Sequence, residues 1–543
     1  MLIKFFAKRK LILFALVCCT GLICFSDGHP KTPAAHDNLK QAGEKPGTYW
    51  ELTTPEEQGI DSQKLLEMLQ EVKKEKYNSH SIIIVRNHRL VLETYICPYT
   101  RDIPQNTRST SKSIVSALVG IALREKWIDS LDRTVYSYLP QYFKHQADPG
   151  KKKITLRHLL TMASGLKIQD QSSQAGGGPI LSSPNPVKMT FESPMAENPG
   201  ERFNYLTPLL NVMSLILSET SGKNLKELAD AYLFAPLGIK DVQWKQDRMG
   251  NYYSDAVLTP LEMAKFGVMF LDKGKWEGKQ VVPEDWVEES TKIQISPPDK
   301  DWDGQKYGYW WWRSPSQNVY MALGWGGQGI FVFPDWNMVI VTTGSNLGGA
   351  LHVVFNLIIP AVKSSRPLPA NPKAVAALRQ ISRQLQFPSA SDAEPIPPHP
   401  GIIKDINGKT YCFAPNNNMG LLEMTFHFSD KACYLSVVHE RGTFKRMEVG
   451  LDGIYRVSKA RPWGEWAIHN KTALRGKWKN SNTFFLDLLP VGRGVNPLMD
   501  IQFQGEEIHI SVALTGTYTK FQLKGKRKNN IKSFVFSICR AGI

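Results

Sequence analysis

The 543-residue chain predicts an α+β fold: an antiparallel sheet flanked by helices and carrying a helical subdomain, followed by a small C-terminal all-β domain. Three observations carry the prediction. Strand-like runs come first, helical patterns fill the middle and strands return with a closing helix, so there is no βαβ alternation. Past Gly401 the pattern changes to short alternating runs separated by Gly and Asn, with little helical period. Composition fits a globular chain with a sizeable core, at 42% hydrophobic and 21% charged.

Taken in order, residues 1–26 carry Lys4, Lys8, Arg9 and Lys10 before an apolar run from Leu11 to Phe25. That is the charged-then-apolar layout of a secretory signal, with a retained anchor as the alternative. The bulk of the chain is therefore expected outside the cytoplasm: periplasmic, extracellular or anchored to the membrane. Residues 27–48 are polar with scattered Pro, Gly and Lys, and read as a tether.

Residues 49–363 form the expected main domain. From Ser81 to Tyr95, two β-rich runs flank Arg86-Asn87-His88 and predict a hairpin. Ile114, Val115, Leu118, Val119, Ile121 and Ala122 then recur at helical spacing, so a buried helix is expected with Ser109 at its start. Helical patterns run to about Asp230, interrupted from Gln169 to Pro199 by a Gly, Ser and Pro-rich stretch long enough to be a lid or binding loop. A helix from Leu261 to Gly274 precedes strands at YGYWWWRS and GQGIFVFPDWNMVIVTTGSN, the second turning at Pro334-Asp335. LHVVFNLIIPAVK closes the domain as an amphipathic helix. Residues 364–400 read as a Pro and Ala-rich linker with a helical piece from Pro372 to Leu385, and residues 401–543 as a β-sandwich or barrel with a basic tail.

Charge is uneven. The formal net charge is +16, and from Gly401 onward 21 basic residues face 11 acidic ones, densest at Lys524, Lys526, Arg527, Lys528 and Lys532. A solvated charge run is the plain reading; contact with an anionic envelope surface is the functional one, and a nucleic-acid partner does not suit an exported chain. Outside the first 26 residues the cysteines are Cys97, Cys412, Cys433 and Cys539, too few for a disulfide scaffold, although Cys412 and Cys433 could bridge in an oxidising compartment.

The chemistry centres on Ser109 and Lys112. Residues three apart share a helix face, so the Lys112 amine can reach the Ser109 hydroxyl. A lysine in a poorly solvated site gives up its proton more readily and can then take the serine proton, and free N–H groups at the helix start favour a developing oxyanion. A Ser and a Lys at this spacing also describe an ordinary helix start with a solvated lysine. Tyr205, just before the apolar helix of PLLNVMSLILSETSG, is a proton relay if it meets Ser109 and a core residue otherwise. Gly324-Trp325-Gly326-Gly327-Gln328-Gly329 either turns tightly into an edge strand or supplies a second oxyanion N–H. Gly-x-Ser-x-Gly, His-Glu-x-x-His and phosphate-loop patterns do not occur.

As an ordered set these pieces resemble the serine β-lactamase and penicillin-binding-protein superfamily, on its class C, esterase and 6-aminohexanoate-dimer hydrolase side. The resemblance spans Tyr49 to Lys363: Ser109-x-x-Lys112, ITLRHLLTMASGL at Ile154 to Leu166, PGERFNY at Pro199 to Tyr205, FAPLGIKDVQW at Phe234 to Trp244, then LTPLEMAKFGVMFLDKGKW and GWGGQ. It implies a β-lactamase-like fold and acyl transfer, with Ser109 as nucleophile and Lys112 and Tyr205 moving protons. The second oxyanion N–H would come from Gly327, or from Gln328 in a register one residue on. No metal or organic cofactor is implied, and His158 matches a structural position.

Two departures narrow the substrate. Where the family often has Tyr-x-Asn, this chain has Tyr205-Leu206-Thr207, so Thr207 replaces only part of an amide-binding side chain. Where penicillin-recognising members carry a cation, this chain has Gly324-Trp325-Gly326, and a substrate carboxylate loses its usual partner. Both point to an exported serine hydrolase acting on a small-molecule ester or short amide, with Trp325 and part of the Tyr307 to Trp312 run against an apolar group. The alternative is an envelope or peptidoglycan-binding protein of the same fold with little or no turnover.

Overall fold

Two left-handed residues shape the first hairpin. Asn87 (φ 50°) and His88 (φ 60°) make the two-residue turn between β1 (Ser79–Arg86) and β2 (Arg89–Tyr95), a backbone twist that matches paired strands. The computed structural model describes residues 50–528 except 76, 145–147, 169–177, 299–303, 315, 461–470 and 516–518. The expected signal or anchor at 1–26, the tether at 27–48, part of the Gln169–Pro199 stretch, Lys532 and Cys539 lie outside the described residues. Among the described residues no helix is long and apolar enough to cross a membrane.

β1 is buried along nearly its whole length because it lies inside the sheet, between β2 and the late strand β5 (Met338–Gly344). From β5 the sheet continues through β4 (Gln328–Phe333) and β3 (Tyr320–Gly324) to short pairs at Trp312–Arg313 and Lys306–Tyr307, antiparallel at each of these steps. The turn between β4 and β5 runs through Pro334–Trp336 and ends at Asn337 (φ 47°), near the expected Pro334-Asp335 position. Of YGYWWWRS only the ends pair as strands. Trp310, at φ 65°, breaks the run, and its indole N–H donates to Leu159 O (3.0 Å), so this aromatic stretch folds as a buried loop.

Helices cover both sheet faces. On one side α1 (Ser62–Glu75) packs against the helical segment Leu347–Ala361 and against a later helix, Pro372–Gln386. That later helix buries Ala374, Val375, Leu378, Ile381 and Leu385 against α1 and β2, so the helical piece expected within a linker is part of this layer. On the other side lie α2 (Thr110–Arg124), α3 (Pro208–Ser221) and α4 (Pro260–Leu271). α4 approaches the sheet closely at Gly267, where a Cβ would come within 2.7 Å of Val339. α2 is central: every residue from Thr110 to Ala122 is buried, and it contacts α3 and β3. Short helices between Val135 and Glu192 form the helical subdomain beside α3.

The C-terminal domain is one antiparallel sheet of ten strands. In chain order they are β6 (Thr410–Phe413), β7 (Leu421–Ser429), β8 (Ala432–His439), β9 (Gly442–Val449) and β10 (Arg456–Ser458). β11 (Thr472–Trp478), β12 (Thr483–Pro490), β13 (Pro497–Gln504), β14 (Glu507–Leu514) and β15 (Lys520–Arg527) complete it. The spatial order is β9-β8-β7-β6-β15-β14-β13-β12-β11-β10, and β9 returns to β10, with Gly450 bridging Arg475, so the sheet nearly closes into a barrel. Burial alternates along β8 and β13, and the interior is filled by side chains such as Phe426, Leu435, Phe484, Met499 and Ile508, each contributing about 1.5–3 kcal/mol on burial. Cys433 faces that interior while Cys412 alternates with the buried Tyr411 and Phe413 and faces outward. With the two side chains on opposite faces of the sheet, the bridge considered from sequence is not made in this structure.

Candidate active site

The main chain bends sharply before the central helix. Arg108 takes φ 54°, its N–H donates to Asn106 Oδ1 (2.8 Å), and Ser109 follows as the N-cap of α2. One turn on, the Lys112 amine donates to Ser109 Oγ at 3.0 Å. Lys112 is only 1% exposed, so α2 carries an amine into the interior and aims it at a half-buried hydroxyl. The same separation serves a Ser109 O–H donating to the unprotonated amine. The solvated lysine of an ordinary helix start is therefore not what this chain has.

Tyr205 joins this pair from the start of α3. Lys112 Nζ stands 4.7 Å from the centre of its ring, within cation–π range. Tyr205 stacks on Trp312 (centroids 5.8 Å apart, planes at 24°) and meets Tyr307 edge-on at 6.3 Å. Phe203 closes the group, 5.2 Å from Tyr307 and 6.1 Å from Trp312. Burial, together with the neighbouring Tyr205, pushes the Tyr307 phenol well above its ordinary range. The rest of the aromatic run serves the core: Trp311 stacks against Phe266 and packs on Phe270, and the Ser113 and Ser116 hydroxyls of α2 donate to Trp310 O and Tyr309 O. Thr207 is half-buried at the N-cap of α3 and places no cap bond on that helix.

The glycine turn lies on the other side of Ser109. A Cβ at Gly324 would come within 2.4 Å of Thr107 O and 3.0 Å of Thr110 Oγ1, so β3 abuts the bend that presents Ser109. No side chain fits there; half-buried Trp325 is the first turn residue with one. Gly326 (φ 81°) and Gly327 (φ 89°) make the turn, and the Gly327 N–H donates to Gly324 O (3.3 Å). Gln328 is 1% exposed and its amide donates to Gly344 O (2.7 Å), which commits its side chain to the fold, while its main chain pairs with Gly324 of β3. His158 serves a capping box with Thr155, in keeping with a structural role. Among the described residues no cluster of His, Cys, Asp or Glu is arranged to hold a metal.

One set of contacts was not visible in the sequence. The C-terminal loop Val491–Asn496 reaches this site: the Asn106 N–H donates to Gly492 O (2.8 Å) and Arg108 Nη2 to Arg493 O (2.7 Å). Beneath Arg108 lies Asp255. Burial raises its carboxyl, but Arg108, Lys245, a hydrogen bond with Asn106 and Arg493 outweigh that and hold it below the ordinary carboxylate range. The only sequence signal was Gly-Arg-Gly after a strand, which reads as a turn and says nothing of what it touches.

A family model described as Beta-lactamase matches residues 66–351, just over half of the chain. The 6-aminohexanoate-dimer hydrolase of Paenarthrobacter ureafaciens is 22% identical over 285 residues, covering 49% of this chain and 72% of that protein. Esterase EstB of Burkholderia gladioli is 26% identical over 180 residues, 31% of this chain and 45% of the esterase. Among solved structures, the octameric penicillin-binding protein homologue from Pyrococcus abyssi aligns over 84% of this chain and 99% of its own, at 16% identity and a TM-score of 0.45. With the Ser109 and Lys112 pair inside the matched region, the chain belongs to the Beta-lactamase family.

Proposed function

We propose that this protein is an exported serine hydrolase that cleaves a small ester or short amide through an acyl-enzyme on Ser109. The observation that carries the reading is the 3.0 Å approach of a buried Lys112 amine to Ser109 Oγ at a helix N-terminus. Ser109 Oγ attacks the substrate carbonyl carbon as its proton passes to the unprotonated Lys112 amine. The oxyanion is received by the N–H of Ser109 and that of Gln328, or that of Gly327 once it leaves its long bond to Gly324 O (3.3 Å). Collapse expels an alcohol or amine, which takes its proton back through Lys112 and the Tyr205 phenol, and water then cleaves the acyl-serine by the same route in reverse.

Phe203, Tyr307 and Trp312 are buried around Tyr205, so the phenol's surroundings are apolar, in keeping with a short acyl or alcohol group. Gly324 leaves no room for a cation beside Ser109, and Thr207 stands where an amide-binding side chain would, so neither feature favours a β-lactam carboxylate and its amide. Names of the relatives, an esterase and an amide hydrolase, point the same way. Export is supported by the charged and apolar stretches of residues 1–26. The test is hydrolysis of a short-chain p-nitrophenyl ester by the purified protein, Lys112→Ala and Tyr205→Phe. Turnover lost in the first and reduced in the second supports the scheme; a folded wild type without turnover on esters or short amides moves the reading to a binding protein.

A further inference from the structure

The C-terminal barrel touches the catalytic strand and the nucleophile's bend at the same time, through one short loop. Gly492 (φ 92°) and Gly494 (φ 74°) let the main chain of Val491–Asn496 lie flat against the main domain. On one side, the carbonyls of Gly492 and Arg493 accept from Asn106 N–H (2.8 Å) and Arg108 Nη2 (2.7 Å), one to three residues before Ser109. On the other side Gly494 sits on the glycine turn: a Cβ on Gly326 would come within 2.7 Å of Gly494 O. A Cβ on Gly494 would come within 3.0 Å of Gln328 Nε2 and 3.1 Å of Gly344 O. A side chain on Gly326 would force the two backbones apart, and one on Gly494 would push Gln328 Nε2 and Gly344 O back by a few tenths of an ångström.

The loop is anchored from behind as well. Val491 and Leu489 pack with Tyr99 and Ile103 of the main domain, and Tyr99 stacks on His80 at 3.9 Å. His80 Nε2 is 3.0 Å from Ser345 Oγ, which in turn lies 3.5 Å from Asn496 Oδ1. Asn496 is held by a pair of bonds with Thr515, its N–H to Thr515 Oγ1 (2.7 Å) and Thr515 N–H to its carbonyl (2.9 Å). These contacts tie the barrel to the two backbone segments whose separation sets the distance from Ser109 Oγ to the oxyanion N–H of the glycine turn.

Resting on the hydrolase reading above, we propose that the Val491–Asn496 loop is a positioning element of the active site, so that acylation of Ser109 depends on the C-terminal domain. Gly494 and Asn496 act through the glycine turn and Ser345, and neither is assigned contact with the substrate. The effect is kinetic: a shift of about 1 Å at the turn costs up to about a hundredfold in rate, and a few tenths of an ångström correspondingly less.

The test compares Gly494→Ala and Asn496→Ala with Gly505→Ala in the full chain. Gly505 (φ 61°) lies in the turn between β13 and β14 with nothing within 4 Å of its would-be Cβ. It therefore carries the same left-handed backbone cost as Gly494 without the contact. The readouts are thermal unfolding and the second-order rate of Ser109 labelling by a fluorophosphonate. The proposal expects similar unfolding temperatures for the two glycine variants, labelling slowed about threefold or more in Gly494→Ala, wild-type labelling in Gly505→Ala, and a smaller slowing in folded Asn496→Ala. If Gly494→Ala does not fold, Asn496→Ala decides: slowed labelling supports the proposal and a wild-type rate overturns it. Equal rates in folded Gly494→Ala and Gly505→Ala also overturn it. A wild type that takes no label fails the hydrolase reading itself, which separates the two failures.

Discussion

Adding one methyl group at Gly324 should disable the enzyme while leaving it folded. In Gly324→Ala the new Cβ would stand 2.4 Å from Thr107 O and 3.0 Å from Thr110 Oγ1. Neither neighbour can yield: Thr107 and Thr110 are fully buried, Thr107 Oγ1 donates to Ala256 O at 2.7 Å, and Thr107 O accepts from the Thr110 N–H at 3.1 Å. Relief to an ordinary contact therefore moves β3 by about 1 Å away from the bend that holds Ser109, a displacement worth about a hundredfold in rate, or about 2.7 kcal/mol at the barrier. The overpacking itself costs about 1–3 kcal/mol of stability, less than the roughly 5–15 kcal/mol that holds an ordinary domain. Steady-state ester hydrolysis and thermal unfolding on the same preparation separate the two effects. A folded variant with kcat within about twofold of wild type would refute the claim that β3 and the Ser109 bend form one rigid unit.

Three further outcomes follow from other parts of the molecule. Arg475→Ala strips Asp487, 3% exposed, of its guanidinium partner (Nε 3.0 Å and Nη2 2.8 Å from Oδ2), and should cost about 3–5 kcal/mol in a denaturant melt, with Tyr455 O–H (2.7 Å) as the remaining donor. Burial lowers His80 from an ordinary value near 6.5 to about 4, so the folded state keeps it neutral while the unfolded state takes up a proton. Its share of stability is complete above pH 6.5 and falls by up to about 1.4 kcal/mol per pH unit as pH drops towards 4, a slope that unfolding curves at pH 7, 6 and 5 should show and His80→Gln should reduce. With buried Cys433 pushed up in pKa and Cys412 partly exposed, iodoacetamide should modify Cys412 in the native protein and Cys433 only after unfolding; a disulfide-linked Cys412–Cys433 peptide pair in a non-reducing digest would contradict their placement on opposite faces of the sheet.

The sequence was most legible where local rules and packing agree. The hairpin of β1 and β2 follows from β-rich runs around a two-residue left-handed turn, and α2 from an apolar period that packing then buries on all sides. The alternating runs beyond Gly401 report the barrel because one face of each strand meets a filled interior. YGYWWWRS reads as strand on propensity, yet Trp310 at φ 65° and its indole bond to Leu159 O turn it into a loop, so tertiary contacts override the local preference. Pro and Ala around residues 364–400 suggest a linker, but Leu378 and Ile381 find an apolar surface on α1 that no local pattern reveals. The site divides the same way. Ser109 and Lys112 are legible at one helical turn, whereas the approach of Gly494 to Gly326 joins residues far apart in the chain and has no signature beyond glycine itself.

The central claim is that Ser109 is a nucleophile activated by Lys112, and intact mass after exposure to a fluorophosphonate tests it most directly. The geometry predicts a single adduct on the wild type, mapped to Ser109, no adduct on Ser109→Ala, and strongly slowed labelling of Lys112→Ala. An unlabelled wild type that is folded, or a Ser109→Ala variant that still takes the label, would contradict it.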